Sequence, residues 1–392
     1  GFRKYKNGKN ESNETKVLSL TTKGVKIKRN LNFGKSTESY IGHQLVEVGD
    51  VVFTPRDFDQ TPILSDVSKY DGCISNLYIV DKTKQGVLNH FVNYYWYGLK
   101  YSVDYFKIFS HGMRYSFNRF QFDEIPLLIP PNSEQQQIVT FLDDKTQKID
   151  SLIQQKEKKI ELLKEKRTSL INHVVTKGLD SNVEMKDSGV EWIGEIPNHW
   201  KTGKLKNNSD LRISSVDKHI LEEERKVTVC NYTDVYYNEF ITSNLPLRKG
   251  SCSENEYTNF LLKKGDVIIT KDSESPTDIG VPSLVKDDLE NVVCGYHLSI
   301  MKSHKTKLVG DYLFRQLQTK RIRSYFEINS NGITRFGLGK SSVLETLLIL
   351  PPISEQQQIV EYLDKQTEEI DTLIQLEQKK IDTLKEYRQS LI

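Results

Sequence analysis

Eight cations fall in turns after strand-like runs and offer a binding chemistry: Arg56, Arg114 and Arg119 early in the chain, and Lys271, Arg321, Arg323, Arg335 and Lys340 later. A guanidinium presents a planar fork of donors that suits the edge of a guanine, and any cation can neutralise a phosphate. Each of them also suits an ordinary solvated side chain. Arg114 and Arg335 carry more weight because they stand in matching loops, HGMRYSFNRF and NGITRFGLGK. Tyr115, Phe117 and Phe120 interleave with the first set, although aromatic residues at this density suit a core as well.

Other chemistries lack their parts. An amino-methyltransferase holds its flipped base in an Asp/Asn-Pro-Pro-aromatic loop, whereas the Pro-Pro pairs here read IPPN and LPPI. No G-x-G-x-x-G stands between a strand and a helix, so no nucleotide or methyl-donor cofactor is signalled. A metal-dependent nuclease gathers acids and a lysine on adjacent strands, but matches such as Glu157 with Lys159 fall in a helical pattern. The 8 histidines are dispersed without zinc-ligand spacing. The expectation is a non-catalytic protein with no metal and no cofactor. A net charge of +2 rules out a uniformly basic coat but leaves room for one basic face. The four cysteines, Cys73, Cys230, Cys252 and Cys294, form no C-x-x-C pair and read as reduced thiols of a cytoplasmic protein. No apolar run is long enough to span a membrane.

The elements that must position the cations are organised by a repeat. The segment PPNSEQQQIVTFLDDKTQKIDSLIQQKEKKIELLKEKRTSLI begins at Pro130, and PPISEQQQIVEYLDKQTEEIDTLIQLEQKKIDTLKEYRQSLI begins at Pro351. Ser133 with Gln136, and Ser354 with Gln357, match a capping box that starts a helix. About 40 residues without Gly or Pro follow in each copy, enough for a rod of roughly 60 Å. Apolar residues recur near every seven positions: Leu142, Ile149, Leu163 and Leu170 on one line, Ile153 and Ile160 on the other. The second copy has Leu363, Ile370, Leu384 and Leu391, with Ile374 and Ile381. Polar breaks fall at matching places, Lys156 and Glu377 in one line, Arg167 and Arg388 in the other. Such breaks help set register, so the two helices are expected to pair with each other, antiparallel, as a coiled coil.

The parts upstream of the helices correspond more faintly. LVEVGDVVFTPRD, with Gly49, parallels LLKKGDVIITKDS, with Gly265. CISNLYIV and CGYHLSIM read as strands beginning at Cys73 and Cys294, and IPLLIPP and LLILPP as closing strands. Helical stretches NHFVNYYWYGLKYSVDYF and VGDYLFRQLQTKRIRSYF lie between, and Trp192 and Trp200 anchor the start of the second half. Strand and helix patterns mix without regular alternation, which makes the fold class α+β. The expected layout is a globular domain over 1–131, a helix over 132–176 and a linker over 177–188, then a second globular domain over 189–352 and a helix over 353–392. The two globular domains are similar mixed α/β units in a pseudo-twofold internal repeat.

The doubled PP-x-SEQQQIV before a long heptad helix, and the phrase GVEWIGEIPNHW that leads into the second half, closely resemble the specificity subunits of type I restriction-modification systems. The resemblance covers nearly the whole chain. It implies that each globular half is a target recognition domain reading one part of a split site in double-stranded DNA. It implies too that the helices set the gap between the parts and dock two methyltransferase subunits, with restriction-translocase subunits joining the assembly. Two departures stand out: the first half has no counterpart of GVEWIGEIPNHW, and the chain stops at Ile392 without a counterpart of NHVVTKGLD. The amino end, which opens on Gly1 rather than Met, is therefore expected to be truncated. A coiled-coil adaptor without a DNA role, and a catalytic methyltransferase or nuclease, are the alternatives.

Overall fold

Gly49 and Gly265 start the same structural event twice. Both hold a positive φ, 93° and 87°, which a side chain would strain. The aspartate after each folds back on its turn: Asp50 accepts the amide of Glu47 at 2.8 Å, and Asp266 accepts that of Lys263 at 2.9 Å. A buried strand then runs from each, Val51–Phe53 or Val267–Thr270. These features come from a computed structural model that describes residues 3–5, 8–28, 39–58, 61, 63–102, 104–109, 115–116, 118–217 and 219–392. The chain divides into two compact units, Gly1–Lys158 with Glu377–Ile392, and Lys159–Leu376.

In the first unit Val51–Phe53 lies in an antiparallel sheet ordered Arg3–Tyr5, Ile79–Thr83, Val51–Phe53, Ser65–Val67. The helix Asn89–Tyr101 presses Phe91, Val92 and Trp96 onto it. Phe53 packs against Trp96 at 6.0 Å and Phe122 at 4.8 Å between ring centres, so aromatic area supplies much of this core. In the second unit Val267–Thr270 is central in a five-stranded sheet, flanked by Leu298–Ser303 and Pro282–Val285. The helix Gly310–Leu317 covers it, and Gly310 approaches so closely that an added Cβ would lie 1.9 Å from the Gly265 carbonyl oxygen.

Both long helices form, as Asn132–Lys177 and Ile353–Leu391. The seam residues Leu142, Ile149, Ile153, Ile160, Leu363, Ile370 and Ile381 are buried, and Leu163, Leu170, Ile374, Leu384 and Leu391 are half-buried. Within the first unit Lys156 Nζ meets Glu377 Oε2 at 2.9 Å and Arg388 Nε meets Asp150 Oδ1 at 2.9 Å, so the helix segments run antiparallel. The second unit holds the repeat image of the latter pair, Arg167 Nε to Asp371 Oδ1 at 2.9 Å. Polar breaks in the seam are thus ion pairs between helices.

Four local expectations are corrected. Each helix starts one residue before the serine: the Pro131 carbonyl accepts the amides of Glu134 and Gln135, and the Pro352 carbonyl that of Gln356. Ser133 and Ser354 therefore lie inside the first turn rather than capping it. Cys73 and Cys294 stand near or at the end of strands Gly72–Ile74 and Val292–Cys294, and turns separate these from the strands that follow. The closing segment of the second half is a strand, Leu347–Leu350, because Lys201–Lys204 pairs with it. Among the described residues IPLLIPP joins no strand ladder. Finally, the second helical stretch breaks at Gln318–Thr319 into Gly310–Leu317 and Lys320–Ile328.

Candidate nucleic-acid interface

The identical glutamines of the repeat hold each globular part onto its own long helix. Gln135 is wholly buried; it accepts the Leu88 amide at 2.9 Å and donates to the carbonyls of Gly86 and Pro130. Gln356 does the same with the Val309 amide and the carbonyls of Lys307 and Pro351. A buried carboxamide with donors and acceptor all matched is hard to replace. This frame sets where the surface loops fall.

In the second unit the frame builds a cleft of ≈ 710 Å³. One wall is a hairpin, Ser330–Gly332 and Phe336–Leu338, whose tip carries Ile333, Thr334 and Arg335. Ile333 is 93% exposed. Behind it runs the short strand Asp272–Ser273, paired with Phe336–Leu338. The other wall is the helix Tyr232–Tyr237, where Tyr232 and Tyr236 stack at 5.6 Å and Tyr237 projects into solvent. The Tyr236 hydroxyl donates to Asp278, which pushes its pKa up to about 12.

Arg335 is exposed at the rim of this cleft, with its Nη2 3.2 Å from His297 Nε2. Lys271 stands at the base of the same hairpin, half-buried and 3.9 Å from Asp272. Lys340 is exposed at the start of the next short helix, Lys340–Leu344. The neighbouring Arg321 faces elsewhere, while Arg323 lies near Asp278 and Tyr236 of the cleft. Arg321 donates to the Leu347 carbonyl and Gln316 and lies 5.3 Å from the Trp192 ring, and burial lowers its pKa to about 10. Arg323 is half-buried with Nη1 enclosed, and burial lowers its pKa also. Trp192 stacks on Tyr325 at 6.1 Å, and the buried Trp200 donates to Glu355, so both tryptophans do hold this half together.

In the first unit Arg56 is exposed and bridges to Ser116, the same antiparallel relation that Asp272 has with Gly337. Arg119 is bound at the Asp81 carboxylate at 2.5 Å and near Asp123 at 3.4 Å. Arg114 lies outside the described residues. Sequence reading missed Tyr232, Tyr236, Tyr237, Asp272, Asp278 and His297. The run YTDVYY was a visible signal, since tyrosines at helical spacing suit stacking. Nothing local marked His297 or the acids.

The arrangement combines a cation, stacked rings and carboxylates around a solvent-open cleft. Among the described residues no three His, Cys, Asp or Glu side chains gather as metal ligands. No described helix is long and apolar enough to cross a membrane.

Comparison with known proteins places this frame. The chain is 23% identical over 303 residues to the type I restriction enzyme MjaVIII specificity subunit of Methanocaldococcus jannaschii, covering 76% of this chain and 68% of that one. A second chain of that organism, MjaX, is 24% identical over 286 residues, 71% of this chain and 60% of that one. Among solved structures, a chain from a study of complex assembly and conformational transition of the type I R-M system superposes with a TM-score of 0.69 at 14% identity, over 89% of this chain and 81% of that one. The HsdS subunit of Thermoanaerobacter tengcongensis superposes with a TM-score of 0.50 at 15% identity, over 89% and 80%. At these identities the superpositions speak for the mixed α/β fold with its long helices. Residues 58–162 and 200–386 match the family described as the type I restriction modification DNA specificity domain, most of both repeats, and the chain belongs to that family.

Proposed function

We propose that this chain is the DNA-reading subunit of a type I restriction-modification enzyme, non-catalytic in itself. Each globular part reads one half of a split site in double-stranded DNA, and the paired helices carry two methyltransferase subunits and the restriction subunits. One observation carries the reading: the two parts share a frame and differ where they face solvent. Gln135 and Gln356 make the same three bonds, while equivalent positions hold an exposed Arg56 in one part and a mostly buried Asp272 in the other. A common frame with divergent reading residues is what recognition of two different half-sites requires.

In the second part Arg335 supplies the guanidinium fork, Lys271 and Lys340 add charge for phosphates, and exposed Ile333 offers apolar contact to a thymine methyl group. In the first part Arg56 and Arg114 are the corresponding candidates. Arg119 and Arg321 are engaged by the frame, and Arg323 stays a candidate near Asp278 of the cleft. The test uses the assembled methyltransferase. Residues 1–131 are exchanged for those of a relative with another target, and methylated sites are mapped across a genome. One half of the split motif should change while the other stays. A motif unchanged in both halves would overturn the division of labour.

A further inference from the structure

Arg335 does not sit alone at the cleft rim. His297 has φ 69°, a left-handed backbone that few side chains other than Asn, Asp and His adopt readily. That conformation places its ring between two partners. Asp272 Oδ2 lies 2.5 Å from Nδ1, and Arg335 Nη2 lies 3.2 Å from Nε2 and 3.4 Å from Nδ1. The Asp272 carboxylate anchors the ring at Nδ1, and the guanidinium rests against the ring held there. The Asp272 and His297 side chains are only 17% and 19% exposed, so both are far more constrained than the arginine they support.

The surroundings also bear on what Arg335 touches. Asp272, Glu274 and Asp278 line the same cleft. Carboxylates there disfavour a phosphate but tolerate a base edge, and they can accept from a cytosine amino group. Among the described residues the first part shows no such chain: Arg56 stands where Asp272 does, and Asn76, whose side-chain amide donates to the Gly42 carbonyl, occupies the place of His297.

We propose that Asp272 and His297 are positioning residues that aim the Arg335 guanidinium at one base pair, making the hairpin tip a specificity determinant of the second half-site alone. This rests on the DNA-reading function above. An aimed guanidinium discriminates more strongly than a free one because less freedom is lost on forming two parallel bonds.

The experiment measures binding of the assembled methyltransferase to duplexes carrying its mapped site, with each base pair varied in turn and salt fixed. Three variants are compared: Arg335→Ala, His297→Asn and the double variant. Asn tolerates the left-handed backbone, so the fold is kept while the short amide cannot bridge Asp272 to Arg335. Arg335→Ala should cut discrimination at one base pair of one half-site by about 5- to 150-fold. His297→Asn should reduce it at that same base pair by a smaller factor, with affinity for unrelated DNA and the salt slope unchanged. The double variant should match Arg335→Ala alone. If His297→Asn leaves discrimination intact while Arg335→Ala abolishes it, the positioning role is wrong and the reading role stands. If Arg335→Ala weakens all duplexes equally, the arginine contacts backbone and the proposal falls. If no variant alters any duplex, the cleft is not the DNA-reading face.

Discussion

Tyr94 and Arg315 occupy equivalent places in the two units, one on each helix that packs beside a long helix. Tyr94 donates its hydroxyl to Asp143 at 2.7 Å. Arg315 donates to Asp364 at 2.7 Å and to Thr367 at 3.2 Å, and Lys286 joins the same carboxylate at 2.7 Å. The acceptor is shared and the donor differs. One unit docks its helix with a neutral hydroxyl donor, the other with a buried guanidinium inside an ion-pair network. Asn89 and Gly310 show the same contrast. Asn89 donates its side-chain amide to the Gly49 carbonyl, whereas Gly310 lets the helix backbone approach Gly265 directly. The comparison teaches that the repeat preserves the long-helix side of each junction and lets the globular side vary.

If that is right, removing the preserved side should damage both units alike. Gln135→Ala and Gln356→Ala each leave a buried amide and two carbonyls without their side-chain partner, at a cost of about 3 kcal/mol or more. Urea unfolding followed through Trp96 reports on the first unit, and through Trp192 and Trp200 on the second. Losses differing by much more than about 1 kcal/mol would break the equivalence. The variable side should respond unequally. Gly310→Ala forces a methyl group into the Gly265 carbonyl and should cost about 2–3 kcal/mol, against about 1 kcal/mol for Asn89→Ala.

The seam offers a smaller test. Glu377 is nearly buried beside Lys156, with side-chain exposures of 4% and 25%, and Lys380 lies 3.1 Å away. Lys156→Glu sets two carboxylates together and should destabilise the first unit by about 2 kcal/mol, with Lys380 limiting the loss. Adding Glu377→Lys restores the pair in reverse and should recover most of it; failure to recover would mean that orientation, not pairing, matters. The smallest effect belongs to Arg388→Ala. Its pair with Asp150 is solvent-exposed, so a loss of under about 1 kcal/mol is expected, fading in high salt. Arg167→Ala at the repeat-equivalent position should cost more, because Arg167 is 15% exposed and also binds Glu239 at 2.7 Å.

The sequence by itself determined the duplication, the two long helices and their partnership. Those signals are local: seven-residue periodicity, an absence of Gly and Pro, and charged breaks recurring at one spacing. It also determined the Gly-Asp turns at Gly49 and Gly265, since positive φ is a property of single residues. What chemistry the surface offers was decided by tertiary structure. Arg321 and Arg335 look alike in sequence, yet one is enclosed against Trp192 and the other stands at an open rim. Asp272, His297 and Arg335 are far apart along the chain, and strand pairing alone brings them within hydrogen-bond reach. The serine caps failed for the same kind of reason. Ser133 has the type and spacing of a cap, but the buried Gln135 pins the first turn through Leu88 and Gly86, and those partners come from another part of the fold.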